Sequence, residues 1–319
     1  KRQVNDLLNG YYGDQTRAQR FQQLRQQMLQ KLKGLLGKLE QKCRDFEQRL
    51  QQSDGADDYR RRADLLMAHL QDWQPGLTEL VLTDFETEQP CRIALAPEKS
   101  AVQNAQALYK RHQKLKRTRE AVEPLLAAAV AERDYLRQVE AAIAALTRCD
   151  GAADLLALQE IQEELQQQGY MPVPDYRQRR SGEDSATDFL RFPAPGGGEI
   201  WVGRNNRQND QLTFRVATDY DLWFHTQEIA GSHVLLRRQP GQELSDEALQ
   251  AAADLAAWFS RGRGSEQVPV IWTEPRLVFK PRGAKPGMVV YRQEQVIWAQ
   301  PQRGAERAIA PAGEVRSVS

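Results

Sequence analysis

Asp221, His225, Ser232 and His233 are the side chains in this 319-residue chain whose types invite a catalytic or metal-binding reading, because imidazoles and carboxylates carry protons and ligate metals. Their spacing argues against both. The interval from His225 to His233 fits no standard metal motif, and no cysteine lies in this part of the chain. Adjacent Ser232 and His233 do not make a triad by sequence alone. No catalytic residue, metal site or cofactor is therefore expected. His225 and His233 read instead as side chains that orient neighbouring backbone or touch RNA.

Arg204, Asn205, Asn206, Arg207 and Asn209 follow Gly203. They make either a polar turn, since Asn tolerates turn conformations, or a loop in which Arg holds phosphate and Asn reads sugar or base edges. Lys280, Arg282 and Lys285, with Gly283 and Gly287, suggest a second loop open to close backbone approach. No Gly-Lys-Ser/Thr is present, so nucleotide hydrolysis is unsupported. Trp223 and Trp258 read as core. Two further stretches are basic without compensating acids. Lys110, Arg111, Lys114, Lys116, Arg117 and Arg119 crowd residues 109–119, and Arg17, Arg20, Arg25, Lys31, Lys33 and Lys38 lie between Gln15 and Leu39. Such segregation on a helical rod suits a phosphate backbone, whereas a plain coiled-coil spacer would mix signs. The formal net charge is only +1, which excludes a surface attractive to polyanions everywhere.

The elements that carry these residues follow from periodicity. Phe21, Leu24, Met28, Leu32, Leu35, Leu39, Cys43, Phe46 and Leu50 step by 3, 4 and 4, an eleven-residue repeat that predicts a nearly straight helical seam. Gly34 and Gly37 interrupt it, and residues 53–56 break it. Helix resumes from Tyr59 to Trp73 and stops at Pro75-Gly76. Residues 77–85 and 91–95 then predict a β-hairpin tip near 77–96. A second long helix returns, with Leu108, Leu115, Val122, Ala129, Leu136 and Ile143 at heptad spacing and Leu125, Val139 and Leu146 at the intervening positions. From Leu108 to Ile143 it spans about 50 Å at ~1.5 Å per residue. Pro124 is expected to kink it. A last helix, Asp154 to Gln168, ends at Gly169.

Beyond the Arg177–Arg180 linker, strands are predicted at 200–202, 212–217, 222–224, 234–237, 268–273, 276–279 and 288–291, with one helix capped by Ser245. The expected fold class is α+β: a long antiparallel helical coiled-coil hairpin with a small β tip (1–173), then a mixed, mostly antiparallel α+β domain (174–319). Cys43, Cys91 and Cys149 are too scattered for a disulfide framework, which suggests a reduced, cytoplasmic setting. No apolar run reaches the ~18 residues of a membrane helix, so no membrane partner is expected. The sequence opens on Lys1 rather than Met and reads as a fragment.

Five blocks in residues 202–287 carry a resemblance: residues 202–213 (VGRNNRQNDQLT), Asp221-Leu222-Trp223-Phe224-His225, Gly231-Ser232-His233-Val234, residues 251–260, and Lys280 to Gly287. In this order they resemble the R domain of the fibronectin-binding-protein-A-like (NFACT) family. The first half is similar to that family's middle coiled coil at Leu8-Asn9-Gly10-Tyr11-Tyr12, Leu95-Ala96-Pro97 and Asn104-Ala105-Gln106. The resemblance implies a ribosome quality-control factor whose partners are the large ribosomal subunit, tRNA and other quality-control proteins. It also implies that the full-length protein supports alanine tailing of stalled chains. The family's N-terminal glycosylase-like and helix-hairpin-helix segments, with their acidic-basic pair, are missing from this sequence, so tailing by this chain alone is not expected. Two other readings are an extracellular-matrix (fibronectin) adhesin and a structural coiled-coil scaffold.

Overall fold

The computed structural model describes residues 2–147, 149, 152–173, 189–241 and 245–309. The Arg177–Arg180 linker and the side chains of Leu8 to Tyr12 lie outside the described residues. Two compact units form, residues 1–36 with 134–319 and residues 37–133. Packing thus groups the chain differently from a division in sequence order at residue 173.

Helices α1 (Arg2–Ser53) and α3 (Ala101–Ala145) contribute to both units. In residues 37–133, Cys43 and Phe46 of α1 pack on Val122 and Ala129 of α3. In the other unit, Arg25 Nε donates to the Ile143 carbonyl at 3.3 Å. Numbers rise on one helix as they fall on the other, so the pair is antiparallel. The buried line differs from the expected one in two places. Leu36 rather than Leu35 is buried, and Leu125 is 50% exposed while its neighbour Leu126 packs inward. From Leu32 the buried positions Leu32, Leu36, Leu39, Cys43 and Phe46 step by 4 and 3, a heptad seam in place of the eleven-residue spacing, and Val122, Leu126 and Ala129 on α3 step the same way.

Gly55, at φ +85°, separates α1 from α2 (Ala56–Ala68). A short 3-10 turn, Leu70–Asp72, then takes the place of the helix expected to reach Trp73. The tip is a two-stranded hairpin, β1 (Glu79–Thr83) and β2 (Pro90–Ala94). Its inward Leu82 and Ile93 pack with Leu65, Leu66 and Ala105. Asn104 fastens this junction: its Oδ1 accepts from Ala96 N at 2.8 Å, and its Nδ2 donates to the carbonyls of Ala96, Lys99 and Ser100.

Helix α4 (Ala152–Gln167) precedes a six-stranded antiparallel sheet. Its strands are β3 (Leu190–Pro193), β4 (Glu199–Val202), β5 (Leu222–Thr226), β6 (Val234–Arg237), β7 (Val268–Thr273) and β10 (Gln295–Ala299), in the order β10-β7-β5-β6-β4-β3. A separate ribbon pairs β8 (Val278–Phe279) with β9 (Val290–Tyr291). Alternation sends Ile200, Val202, Leu222, Phe224, Val234, Leu236, Val268 and Val270 to one face, against the alanines of α6 (Asp246–Trp258). Ser245 caps α6 by accepting from Ala248 N. Helix α7 (Pro301–Ile309) lies so close to α6 that a Cβ on Gly304 would come within 2.2 Å of the Asp254 carbonyl.

On the other face Trp223, Leu235 and Ile271 pack with Leu212, Phe189 and Val278. Here the predicted strand at 212–217 is corrected. Residues Asn206–Gln211 form a short helix, α5, that runs on through a wide π turn closed by Ala217 N on the Leu212 carbonyl at 3.0 Å. Leu212 is fully buried, and the Thr213 hydroxyl meets His233 Nδ1 at 2.7 Å and accepts from Trp223 Nε1 at 3.0 Å. These tertiary anchors outweigh the segment's preference for extended structure. The strand expected at 276–279 is a 3-10 turn (Pro275–Leu277) followed by the two residues of β8. Strands β3 and β10 and helices α5 and α7 were not foreseen.

Candidate nucleic-acid interface

The Gly203–Gln211 segment works as a clasp on α4. Asn205 is the N-cap of α5: its Oδ1 accepts from Gln208 N at 2.9 Å, while its Nδ2 donates to Glu160 at 2.8 Å. Arg204 pairs with Asp154 at 3.2 Å. Asn206 donates to Glu164 at 3.0 Å, and Arg207 bonds Gln167 and lies 3.9 Å from Glu163. Glu164 is buried and also accepts from the Tyr135 hydroxyl at 2.8 Å. Burial raises its pKa, while the Asn206 and Tyr135 donors oppose the rise. The Tyr135 hydroxyl is pushed up, first by that same burial and then by Glu164. Asn209 is buried and accepts from His233 N at 3.1 Å. Gly203 permits this approach, because a Cβ there would fall 2.2 Å from Asn209 Oδ1.

Of the five residues the sequence offers as RNA readers in this segment, Asn205, Asn206 and Asn209 have their side chains buried and bonded within the fold. Arg204 is nearly enclosed, and Arg207 keeps 34% of its side chain exposed.

His225 and His233 meet edge to face, 5.5 Å between ring centroids, beside Trp223. His225 Nε2 lies 3.3 Å from the Gly231 carbonyl and 3.4 Å from Gln138 Nε2, and Gln138 Oε1 accepts from Gly231 N at 2.9 Å. Burial lowers the His225 pKa to about 4 and holds His233 well below its usual value. Both are therefore neutral packing groups near neutral pH. Asp221 is fully buried and gives its carboxylate to Arg237 Nε, Arg238 N and Thr218 N. Among the described residues no cluster of three or more His, Cys, Asp or Glu is arranged to hold a metal ion.

Asp210, which the sequence reading passed over, organises the second loop. It binds Lys280, and its Oδ1 accepts from Gly287 N at 3.1 Å. Lys285 lies over the rings of Tyr135 and Tyr170, 4.6 and 4.4 Å from their centroids, and donates to the Tyr170 hydroxyl. Arg282 stays exposed. Glu164, Tyr135 and Gln138 were also missed. The one signal for any of them was the acidic run Glu160, Glu163, Glu164 on α4, opposite in charge to Arg207.

Within residues 37–133 the basic block on α3 divides. Lys110, Lys114 and Arg117 line a shallow groove of about 680 Å³ with Tyr109, Gln113, Thr118 and Ala121. Arg111 instead lies over the Tyr59 ring at 6.0 Å, and Lys116 faces Glu120 at 4.0 Å. Spacings of four and three residues put the three groove cations on one helical face, and none of them pairs with a carboxylate among the described residues.

The sequence profile of the NFACT N-terminal and middle domains matches residues 1–184. The chain belongs to the NFACT family. The NFACT protein RNA binding domain matches residues 189–293, which hold the clasp, the histidine pair and the β8–β9 ribbon. Curated NFACT relatives named Rqc2 homolog RqcH include one from Streptococcus pneumoniae, 33% identical over 93% of this chain and 52% of the relative. Another, from Bacillus subtilis, is 31% identical over 93% of this chain and 51% of the relative. The chain thus spans about half the length of these relatives. A solved structure of the C-terminal of the fibronectin/fibrinogen-binding protein from Streptococcus suis superposes with a TM-score of 0.65 at 29% identity, over 90% of this chain and 99% of that one.

Proposed function

We propose that this chain is the coiled-coil and RNA-binding portion of a ribosome quality-control factor, which binds the large ribosomal subunit and tRNA rather than catalysing a reaction itself. The observation that carries the reading is the unpaired row Lys110, Lys114 and Arg117 along one groove, in a chain that also bears the NFACT RNA-binding domain. Three lysine and arginine heads on one face of a helix attract a phosphate backbone and release its counterions on binding. A ribosomal setting is cytoplasmic, and other quality-control proteins are further partners there. In the full-length protein the same contacts would support alanine tailing of stalled chains.

The test is co-sedimentation of the chain with purified large subunits, with and without peptidyl-tRNA, across a salt series. Saturable binding that favours tRNA-bearing subunits is the expected result. No binding at low salt would overturn the reading. Weak, non-saturable binding that is insensitive to Lys110, Lys114 and Arg117 would leave a coiled-coil scaffold.

The likeness to the Streptococcus suis protein favours one second reading, an adhesin for fibronectin. Saturable, salt-resistant capture of the chain on immobilised fibronectin would support it.

A further inference from the structure

The clasp consumes most of the polar side chains in the RNA-binding domain that look like RNA readers, so the domain's open cations and aromatics have to be sought elsewhere on its surface. The β8–β9 ribbon is where they meet. Its inner residues, Val278 and Tyr291, join the core beside Trp223. Its outer residues, Phe279 and Val290, are register partners, 42% and 50% exposed. Solvent-facing aromatic and β-branched side chains side by side give up apolar burial, about 25 cal/mol for each Å² left in water.

One cation lies on this apolar pair and another, Arg282, follows Phe279 by three residues. The Arg292 guanidinium lies 5.4 Å over the Phe279 ring, and its backbone is pinned by Arg292 N on the Leu277 carbonyl at 3.1 Å and by Thr273 Oγ1 on its own carbonyl at 3.0 Å. Arg282 is exposed on the turn closed by Ala284 N on the Pro281 carbonyl at 3.0 Å. Arg282 and Arg292 have no carboxylate partner among the described residues. Of the acids nearby, Asp210 is engaged by Lys280 and Glu274 by Arg276, while Glu228 and Glu294 act on Tyr291, the inner residue of β9. The ribbon's base is held in place by Gly287 N on Asp210.

We propose that the outer face of the β8–β9 ribbon is a stacking platform for unpaired RNA, with a nucleobase laid on Phe279 beside Val290 and the flanking phosphates taken by Arg282 and Arg292. A fixed exposed ring offers its π-face to any base, and adjacent guanidiniums serve the backbone and stack in turn. A double helix keeps its bases stacked on each other and has none to lay there. This placement rests on the RNA-binding reading above and deepens it by naming single-stranded RNA as the ligand of this domain.

The experiment uses the whole chain with a fluorescent oligouridylate and an RNA duplex of equal length, at two salt concentrations. Phe279→Leu keeps an apolar side chain without the ring and is expected to weaken oligouridylate binding by about tenfold while sparing the duplex. Phe279→Trp should bind at least as well as the parent, with its emission quenched by the base. Arg282→Ala and Arg292→Ala should each flatten the salt dependence by about one phosphate contact. Trp298→Ala removes another exposed ring, 60% accessible on β10, and should change nothing. Equal binding by Phe279→Leu and the parent, or equal loss on single strand and duplex, would overturn the platform while leaving RNA binding intact. Failure of the parent to bind either RNA would overturn the RNA reading and the platform with it.

Discussion

The pair His225 and His233 ties stability to pH in one direction. An exposed histidine titrates near pH 6.5, whereas burial holds His225 at about 4 and His233 well below the usual value. As pH falls below 6.5 the unfolded chain takes up protons that the folded chain refuses. The contribution of neutral packing is therefore complete above 6.5 and is lost on the way down through about 4. The groups facing the pair are Gln138, Thr213, Asn209 and the Gly231 carbonyl, with Lys280 the nearby charge that further disfavours a protonated His233. Urea midpoints followed by circular dichroism should be flat from pH 8 to 7 and fall steadily from 6.5 to 4, with a shallower fall in His225→Asn. An equal slope in that variant would place the acid sensitivity elsewhere. A second expectation concerns Gly203. Since an added methyl would fall 2.2 Å from Asn209 Oδ1, Gly203→Ala should break the Asn209–His233 bond and cost about 2 kcal/mol or more in chemical denaturation.

Helix α3 carries two separable roles along its length. At its start, Asn104 closes four hydrogen bonds to the turn after the β tip. Asn104→Ala would leave buried backbone groups unpaired and should destabilise residues 37–133 by about 2 kcal/mol, seen as earlier loss of helical signal on heating. Unchanged melting would mean that water replaces the amide at no cost. One to four turns further on, Lys110, Lys114 and Arg117 offer charge without packing. Replacing all three by Ala should leave the melting temperature in place and reduce the salt slope of RNA binding by about one unit per lost phosphate contact. Lys116 and Arg119, already engaged by Glu120 and by Glu123 with Asp54, are the controls, and their replacement should alter the slope less.

A formal charge of +1 across 319 residues makes attraction to RNA a matter of local patches rather than of a uniformly positive surface. The two compact units each have a hydrophobic core of their own. Because the chain spans about half of its curated relatives, binding and tailing should separate. Added to stalled large subunits with alanyl-tRNA, this chain should bind without lengthening the nascent peptide, as read by mass spectrometry of the released product. Alanine addition by the chain alone would overturn that separation.

Much of this architecture was legible in residue order because its causes are local. Apolar periodicity announced α1 and α3, Gly55 marked the break between α1 and α2, Ser245 capped α6, and alternation located β4 to β7 and the tip hairpin. The basic rows on α1 and α3 and the family motifs were equally open to reading. Folding decided the rest through partners distant in sequence. Leu212 to Val216 looks extended, yet it winds because Trp223 on β5 and His233, just before β6, reach Thr213. Arg204 to Asn209 resembles a loop made to read RNA, and only the arrival of Asp154, Glu160 and Glu164 from α4 turns most of its side chains inward. Of the six cations in one block of α3, Lys116 and Arg119 have acids one turn on, Glu120 and Glu123, while only folding brings Tyr59 against Arg111 and Asp54 against Arg119, and Lys110, Lys114 and Arg117 remain available. A side chain's type and position tell what it can bond. Which groups it meets depends on the closure of contacts that span from 10 to 93 residues here, and that closure leaves no periodic trace in the sequence.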